Sequence, residues 1–199
     1  MKPYFLTHPV GILYLLVMLS WYLMEGVQFA RQQEWRQEAA RISPRGFWPA
    51  YWACVAAATT MLILAPHIAP AAAIGHGAAV FALGMVLLVA GIALRLWSFH
   101  ALGRYFTFTF TVKISPGQPV VSNGPYRVLR HPGYAGGLLA IAAVGLLNGN
   151  WVGLASVVLP WLVLIVWRIR VEENALLTAL DGRYRAYAAH HKRLVPLVW

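Results

Sequence analysis

Two short stretches of the chain carry most of its chemically capable side chains. The first is residues 113–134, Lys-Ile-Ser-Pro-Gly-Gln-Pro-Val-Val-Ser-Asn-Gly-Pro-Tyr-Arg-Val-Leu-Arg-His-Pro-Gly-Tyr. The second is residues 168–199, which open Arg-Ile-Arg-Val-Glu-Glu. In the first, Asn123-Gly124-Pro125 is a turn sequence, and Pro125 fixes φ as the chain leaves it. Pro132 suits the opening of a helix, where its missing N–H is harmless. The unpaired N–H groups and partial positive charge of such a helix start suit a ligand carboxylate. Tyr126 and Tyr134 offer aromatic faces on which a sulfonium or an adenine would sit well. In the second, Glu172 and Glu173 come soon after a long apolar run, and carboxylates there are costly unless they face a partner. Arg168 and Arg170 stand five and three residues before Glu173.

The elements that position these residues can be read from where charge is missing. Of 199 residues, 60% are hydrophobic and 11% charged, against roughly 25% charged in an ordinary soluble domain. The mean hydropathy is +0.61. Disorder is excluded, and a soluble globular domain lacks the charges to cover its surface. A single cysteine, Cys54, excludes a disulfide scaffold. The net charge of +10 does not indicate nucleic acid, because the basic residues punctuate apolar segments and build no soluble basic face. Residues 3–24, 46–94 and 131–167 contain no Asp, Glu, Lys or Arg. A spanning helix needs about 20 apolar residues, so the first stretch holds one span. The second holds two, divided by Pro66-His67-Ile68-Ala69-Pro70 and Gly75-His76-Gly77. The third is divided by Asn148-Gly149-Asn150 into two short arms. The expectation is an all-α integral membrane protein with five transmembrane helices, the last two a short helical hairpin. Leu176, Leu177, Leu180, Tyr184 and Tyr187 recur at helical spacing around a break at Asp181-Gly182, which predicts a cytosolic C-terminal amphipathic helix in two parts. Folding the hairpin brings 131–134 to 168–173.

The N-terminus reads as a retained first span over residues 9–28, since no small-residue cleavage site ends its apolar run. With five spans, fifteen of the sixteen basic residues fall on one side: Arg31 to Arg45, Arg95 to Arg130, and Arg168 to Arg193. Only Lys2 falls on the other. The positive-inside rule then places the N-terminus outside and the candidate site on the cytosolic face, in the inner membrane if the source is bacterial. The chain is one membrane domain, 1–199, with residues 1–94 as a three-span scaffold and 95–199 as the cofactor-binding and catalytic part.

The run Gly124-Pro125-Tyr126…Arg130-His131-Pro132-Gly133-Tyr134-Ala135-Gly136, then Arg168…Glu172-Glu173…Leu176, Gly182-Arg183-Tyr184…Tyr187 and Arg193-Leu194-Val195-Pro196, resembles the isoprenylcysteine carboxyl methyltransferase family. That family has looser relatives among the phospholipid N-methyltransferases. The resemblance covers about residues 95–197. It implies S-adenosylmethionine as methyl donor and a prenylated cysteine's carboxylate as acceptor. It maps the cofactor segment onto Gln118, Pro119, Val120, Val121, Tyr126, His131, Pro132, Gly133 and Tyr134, with Glu173 closing the pocket. It maps the substrate-side arginine onto Arg168 or Arg170, leaving Arg168 and Glu173 as the expected catalytic pair.

Methyl transfer from a sulfonium is an in-line displacement that needs no metal, and alignment alone supplies ~7–11 kcal/mol. A carboxylate acceptor needs no general base, whereas a thiol or amine would need one, with His131 and Glu173 nearest. A lipophilic small molecule or lipidated acceptor would enter sideways from the bilayer, and the donor from the cytosol. The rivals are an amine-lipid N-methyltransferase, a thiol S-methyltransferase and, in another class, a non-enzymatic membrane transport or sensing protein. The remaining histidines, His8, His67, His76, His100 and the His190-His191 pair, show no metal-ligand spacing. Trp151, Trp161, Trp167 and Trp199 suit a membrane–water interface. The alternation over residues 105–110 looks strand-like but has no evident partner.

Overall fold

A computed structural model of the chain describes residues 8–33, 40–42, 47–75, 77–106, 112–114 and 118–195. Five helices dominate them: α1 (Gly11–Gln33), α2 (Phe47–Ile68), α3 (Ala78–Leu102), α4 (Pro132–Leu147) and α5 (Trp151–His190). Four are long and apolar enough to cross a membrane, while α4 is a shorter apolar helix. At about 1.5 Å per residue, the 16 residues of α4 fall short of a hydrocarbon core about 30 Å thick. Apolar side chains lie outward as well as inward. Ile12, Leu15, Leu19 and Leu23 of α1, and Val86 and Val89 of α3, are exposed. Lipid makes that arrangement favourable and water does not.

The breaks fall where the sequence places them. Helix α2 stops at Ile68, and a 3-10 turn over Pro70–Ala72 separates it from α3. The Asn148-Gly149-Asn150 turn closes the α4–α5 hairpin, with Gly149 at φ 74°, a left-handed conformation that suits glycine. Asn150 caps α5, its side-chain oxygen accepting from the backbone N–H groups of Val152 and Gly153. The Asn148 amide donates to Leu62 O (2.8 Å) and the Asn150 amide to Ala69 O (2.9 Å). These bonds lock the hairpin tip to the end of α2.

Two features differ from the sequence-based expectation. The all-α reading omitted a short antiparallel pair, β1 (Ala40–Ile42) with β2 (Val112–Ile114). Three-residue strands produce no local pattern that a sequence can reveal. The strand-like alternation lay at 105–110, and 107–110 are outside the described residues, as are His76, Pro196 and Trp199. The pairing brings the segment after α1 to the segment after α3, at one end of the molecule. The second difference concerns α5, which runs without interruption through residue 168 where a span and a separate helix were expected. No proline or glycine intervenes there, so nothing ends it. The division falls instead at Asp181, whose φ of 39° and ψ of −120° leave the helical region, within the Asp181-Gly182 break read from the sequence.

Helix α4 packs against both α3 and α5, and α5 also packs against α2. The α3–α4 contact is backbone against backbone. A Cβ on Gly91 would lie 2.7 Å from Ala140 N and Gly136 O, and one on Gly136 would lie 2.6 Å from Gly91 O. Small residues permit that approach, and it fixes the depth of the α4 start relative to α3.

Candidate active site at the start of α4

The segment before α4 is held by the C-terminal strap. Arg130 N donates to Lys192 O (2.8 Å) and His131 N to Arg193 O (3.0 Å). The Tyr187 hydroxyl donates to Tyr126 O (2.7 Å). Leu194 anchors the strap by packing with Ile165 and Ile169. Pro132 then opens α4, with His131 as the preceding cap residue.

A cavity lies between these pieces. Its wall takes Arg95 and Leu102 from α3, Tyr105 and Phe106 after it, Gln118 to Val121, Tyr126, Arg130, His131, Gly133 and Tyr134. Helix α5 contributes Glu172, Leu176, Leu180, Tyr184 and Tyr187. Eight of the expected cofactor residues therefore share one wall: Gln118, Pro119, Val120, Val121, Tyr126, His131, Gly133 and Tyr134. Pro132 is fully buried beneath it. Burial, with the nearby Glu172 carboxylate, holds the Tyr126 phenol above its usual range, so its hydroxyl stays protonated.

The two carboxylates of α5 have separate surroundings. Glu172 lines the cavity and accepts from the Tyr134 hydroxyl at 2.6 Å. Glu173, 4% exposed, lies outside the cavity wall in a cationic cluster. Its Oε1 is 2.9 Å from Arg130 Nη1 and 3.2 Å from His131 Nε2, and its Oε2 is 2.8 Å from Arg193 Nε. His131 also stacks on Tyr134, with ring centroids 5.6 Å apart. Arg130 Nε is buried and has no hydrogen-bond partner among the described residues.

The two candidate arginines also separate. Arg168 is buried, and its Nε donates to the Tyr134 hydroxyl at 2.6 Å. It stands outside the cavity wall, one hydroxyl away. Arg170 is exposed. The sequence reading missed Arg95, Arg130 and Glu172 as wall residues. Arg95 could have been suspected as the first charge after 49 uncharged residues, and Arg130 from its place beside His131.

This arrangement can be set beside known proteins. The sequence profile of a family described as phospholipid methyltransferase matches residues 79–181, from α3 through the break in α5. The chain belongs to the phospholipid methyltransferase family. The matched stretch includes the cavity wall from α3 to Leu180. Among curated proteins, protein-S-isoprenylcysteine O-methyltransferase B of Arabidopsis thaliana is 28% identical over 116 residues, 58% of each chain. A probable protein-S-isoprenylcysteine O-methyltransferase of Oryza sativa subsp. indica is 26% identical over 110 residues, 53% of this chain and 55% of its own. YpbQ of Bacillus subtilis, an uncharacterized protein, is 34% identical over 82 residues, 41% of this chain and 48% of its own. The chain thus spans about half the length of the curated relatives it matches. Among solved structures, the eukaryotic intramembrane Ras methyltransferase (isoprenylcysteine carboxyl methyltransferase) superposes with a TM-score of 0.64 at 19% identity. That match covers 79% of this chain and 55% of the other, and it shows a shared fold.

Proposed function

We propose that the protein is a membrane-embedded methyltransferase that transfers the methyl group of S-adenosylmethionine to a lipophilic acceptor, and that the acceptor group is a carboxylate of the isoprenylcysteine type. The observation that carries this reading is the convergence of the Tyr126 to Tyr134 segment and Glu172 of α5 on one cavity. The names of the plant relatives and the family membership support it.

The residues present fit the donor. Its carboxylate matches the unpaired Arg130 Nε, since a buried donor without a partner is costly and a ligand anion removes that cost. Its ammonium or ribose hydroxyls match Glu172, and its adenine and sulfonium match the faces of Tyr126, Tyr134, Tyr184 and Tyr187. When bound, the donor supplies an electrophilic methyl, and the protein supplies alignment. Glu173 serves as a positioning residue, because its charge holds His131 and Arg130 in the wall. An anionic acceptor finds Arg95 in the wall and Arg168 behind the Tyr134 hydroxyl. A carboxylate acceptor is ionised at neutral pH and needs no base, which agrees with a wall whose cations already have structural duties.

The same reading includes five membrane crossings, an external N-terminus and a cytosolic site. The β1–β2 pair supports it by joining two basic segments at one end, as the positive-inside distribution requires. A lipid amine is the second acceptor class, favoured by the family description. In that case Glu172, facing the cavity, is the group placed to take the amine's proton. The deciding experiment is calorimetry of S-adenosylmethionine binding in detergent, then transfer from labelled donor to a panel of lipophilic acids, thiols and amines. A base-labile methyl ester supports the carboxylate reading. A stable methylamine moves the second class ahead, and a chain that binds no donor overturns the enzyme reading.

A further inference from the structure

Arg95 of the cavity wall ends an uncharged run of 49 residues, and it does not stand there unsupported. Its Nε donates to Glu25 Oε1 and its Nη2 to Glu25 Oε2 at 3.1 Å, a two-bond clamp from α1. Its Nη1 donates to the Gly133 carbonyl at 3.0 Å, in the first turn of α4. The Phe99 ring lies beneath the guanidinium, 4.8 Å from Cζ to the centroid. Trp21 Nε1 donates to Glu25 Oε1 at 3.1 Å and so orients the carboxylate.

The neighbouring glycines make room for this guanidinium. A Cβ on Gly137 would lie 3.4 Å from Arg95 Nη1, and one on Gly136 would lie 3.2 Å from Arg95 Cβ. Glu25 is itself the first charge after 22 uncharged residues at the N-terminal end of the chain. Both side chains are 17% exposed. An ion pair this buried adds little net stability compared with apolar residues of the same size, so stability is a weak reason for its presence. Its geometric effect is specific. One carboxylate fixes the direction of a cavity cation and, through it, the carbonyl next to His131-Pro132.

We infer that Glu25, on a helix outside the family-matched segment, is a positioning residue for the active site: it holds the Arg95 guanidinium in the cavity wall. This rests on the methyltransferase reading and adds α1 to the catalytic assembly. Without Glu25, Arg95 keeps its charge but loses the fork that sets its direction.

The test is a double-mutant cycle on turnover, with S-adenosylmethionine binding measured in parallel by calorimetry. Glu25→Gln should lower kcat/KM for the acceptor about tenfold to hundredfold, the order of loss expected when a positioned group is misplaced. Donor affinity should stay within about threefold. Glu25→Asp should recover part of the loss. In an Arg95→Gln background the same Glu25 change should alter turnover by less than about threefold, because its effect passes through Arg95. Full turnover in Glu25→Gln overturns the inference, as does an equal loss in both backgrounds, which is the mark of a general structural role. If Arg95→Gln leaves no measurable turnover, Glu25→Asp decides: recovery supports the clamp and no recovery overturns it. Absence of donor binding and turnover in the unaltered chain is a failure of the methyltransferase reading and is distinct from all of these.

Discussion

Replacing Glu173 by glutamine removes the one negative charge between two arginines and a histidine, and its cost can be worked from the distances. Glu173 is 4% exposed. Its carboxylate lies 2.9 Å from Arg130, 3.2 Å from His131 and 2.8 Å from Arg193. Removing one partner of a buried ion pair costs ~3–5 kcal/mol, because the remaining charge stays buried without compensation. That figure applies to Arg130, whose side chain is 12% exposed. It does not apply in full to Arg193, whose side chain is 36% exposed, so water takes over and its share falls to ~1 kcal/mol or less. Glutamine keeps the shape and one acceptor oxygen, which recovers one hydrogen bond of ~1 kcal/mol. The net expectation is a loss of ~2–4 kcal/mol. For a chain of this size the melting temperature moves ~2–4 °C per kcal/mol, so it should fall by about 5–15 °C. Thermal unfolding in detergent, monitored by tryptophan fluorescence, measures this directly. Arg193→Gln in the same assay should cost less than about a third as much. If Glu173→Gln melts within about 2 °C of the parent, or if Arg193→Gln costs as much, the buried carboxylate is not what holds the cluster and this reasoning is wrong.

The same geometry sets further expectations. Arg168→Lys should lower turnover on an anionic acceptor about tenfold to hundredfold, or ~1.4–2.7 kcal/mol, because an ammonium has no planar guanidinium whose Nε can bond Tyr134 while its other N–H groups face elsewhere; exposed Arg170→Lys should leave it unchanged, and the reverse result reassigns the role. Gly136→Ala places a Cβ 2.6 Å from Gly91 O and 2.8 Å from Arg95 N, so thermal unfolding should show a loss of at least ~1–3 kcal/mol. Single cysteines in a Cys54→Ala background should accept an impermeant label from outside at Gly75→Cys and from the cytosol at Arg183→Cys; the opposite pattern reverses the topology.

Much of the fold was legible because bilayers impose a coarse rule. Charge-free runs longer than a membrane is thick must be helices, and Pro70 and the Asn148 turn divide them where a helix stops, while α2 continues through Pro66 to Ile68. What stayed hidden depended on long-range pairing. The three-residue strands meet across about 70 positions, and no local pattern announces such a contact. Arg95 and Glu25 are likewise separated by 70 positions. Each looked like an ordinary charge at the end of a span, and only the packing of α1 on α3 gives them a shared purpose. The candidate cavity was better marked, because nine of its wall residues come from the single stretch 118–134, which holds a turn and a helix start. Pro132 and His131 fix where α4 begins, and that start sets the course of everything from Tyr126 to Tyr134.

The adjacent pair Glu172-Glu173 shows how helix geometry assigned roles that composition could not. Successive residues of an α-helix point about 100° apart, and residues four apart share a face. Arg168 and Glu172 are four apart, and they meet one another through the Tyr134 hydroxyl. Glu173, one step round, leaves that face and meets His131, Arg130 and Arg193 instead. Two like charges side by side are costly near a membrane, but here each has its own cationic or hydrogen-bonding partners. The division also explains why the helix must continue past residue 167. An interruption between Trp167 and Glu172 would uncouple the face that holds Tyr134 from the one that clamps the C-terminal strap. Arg193, Glu173, His131 and Tyr134 thus form one chain of contacts from the C-terminal strap to the cavity wall.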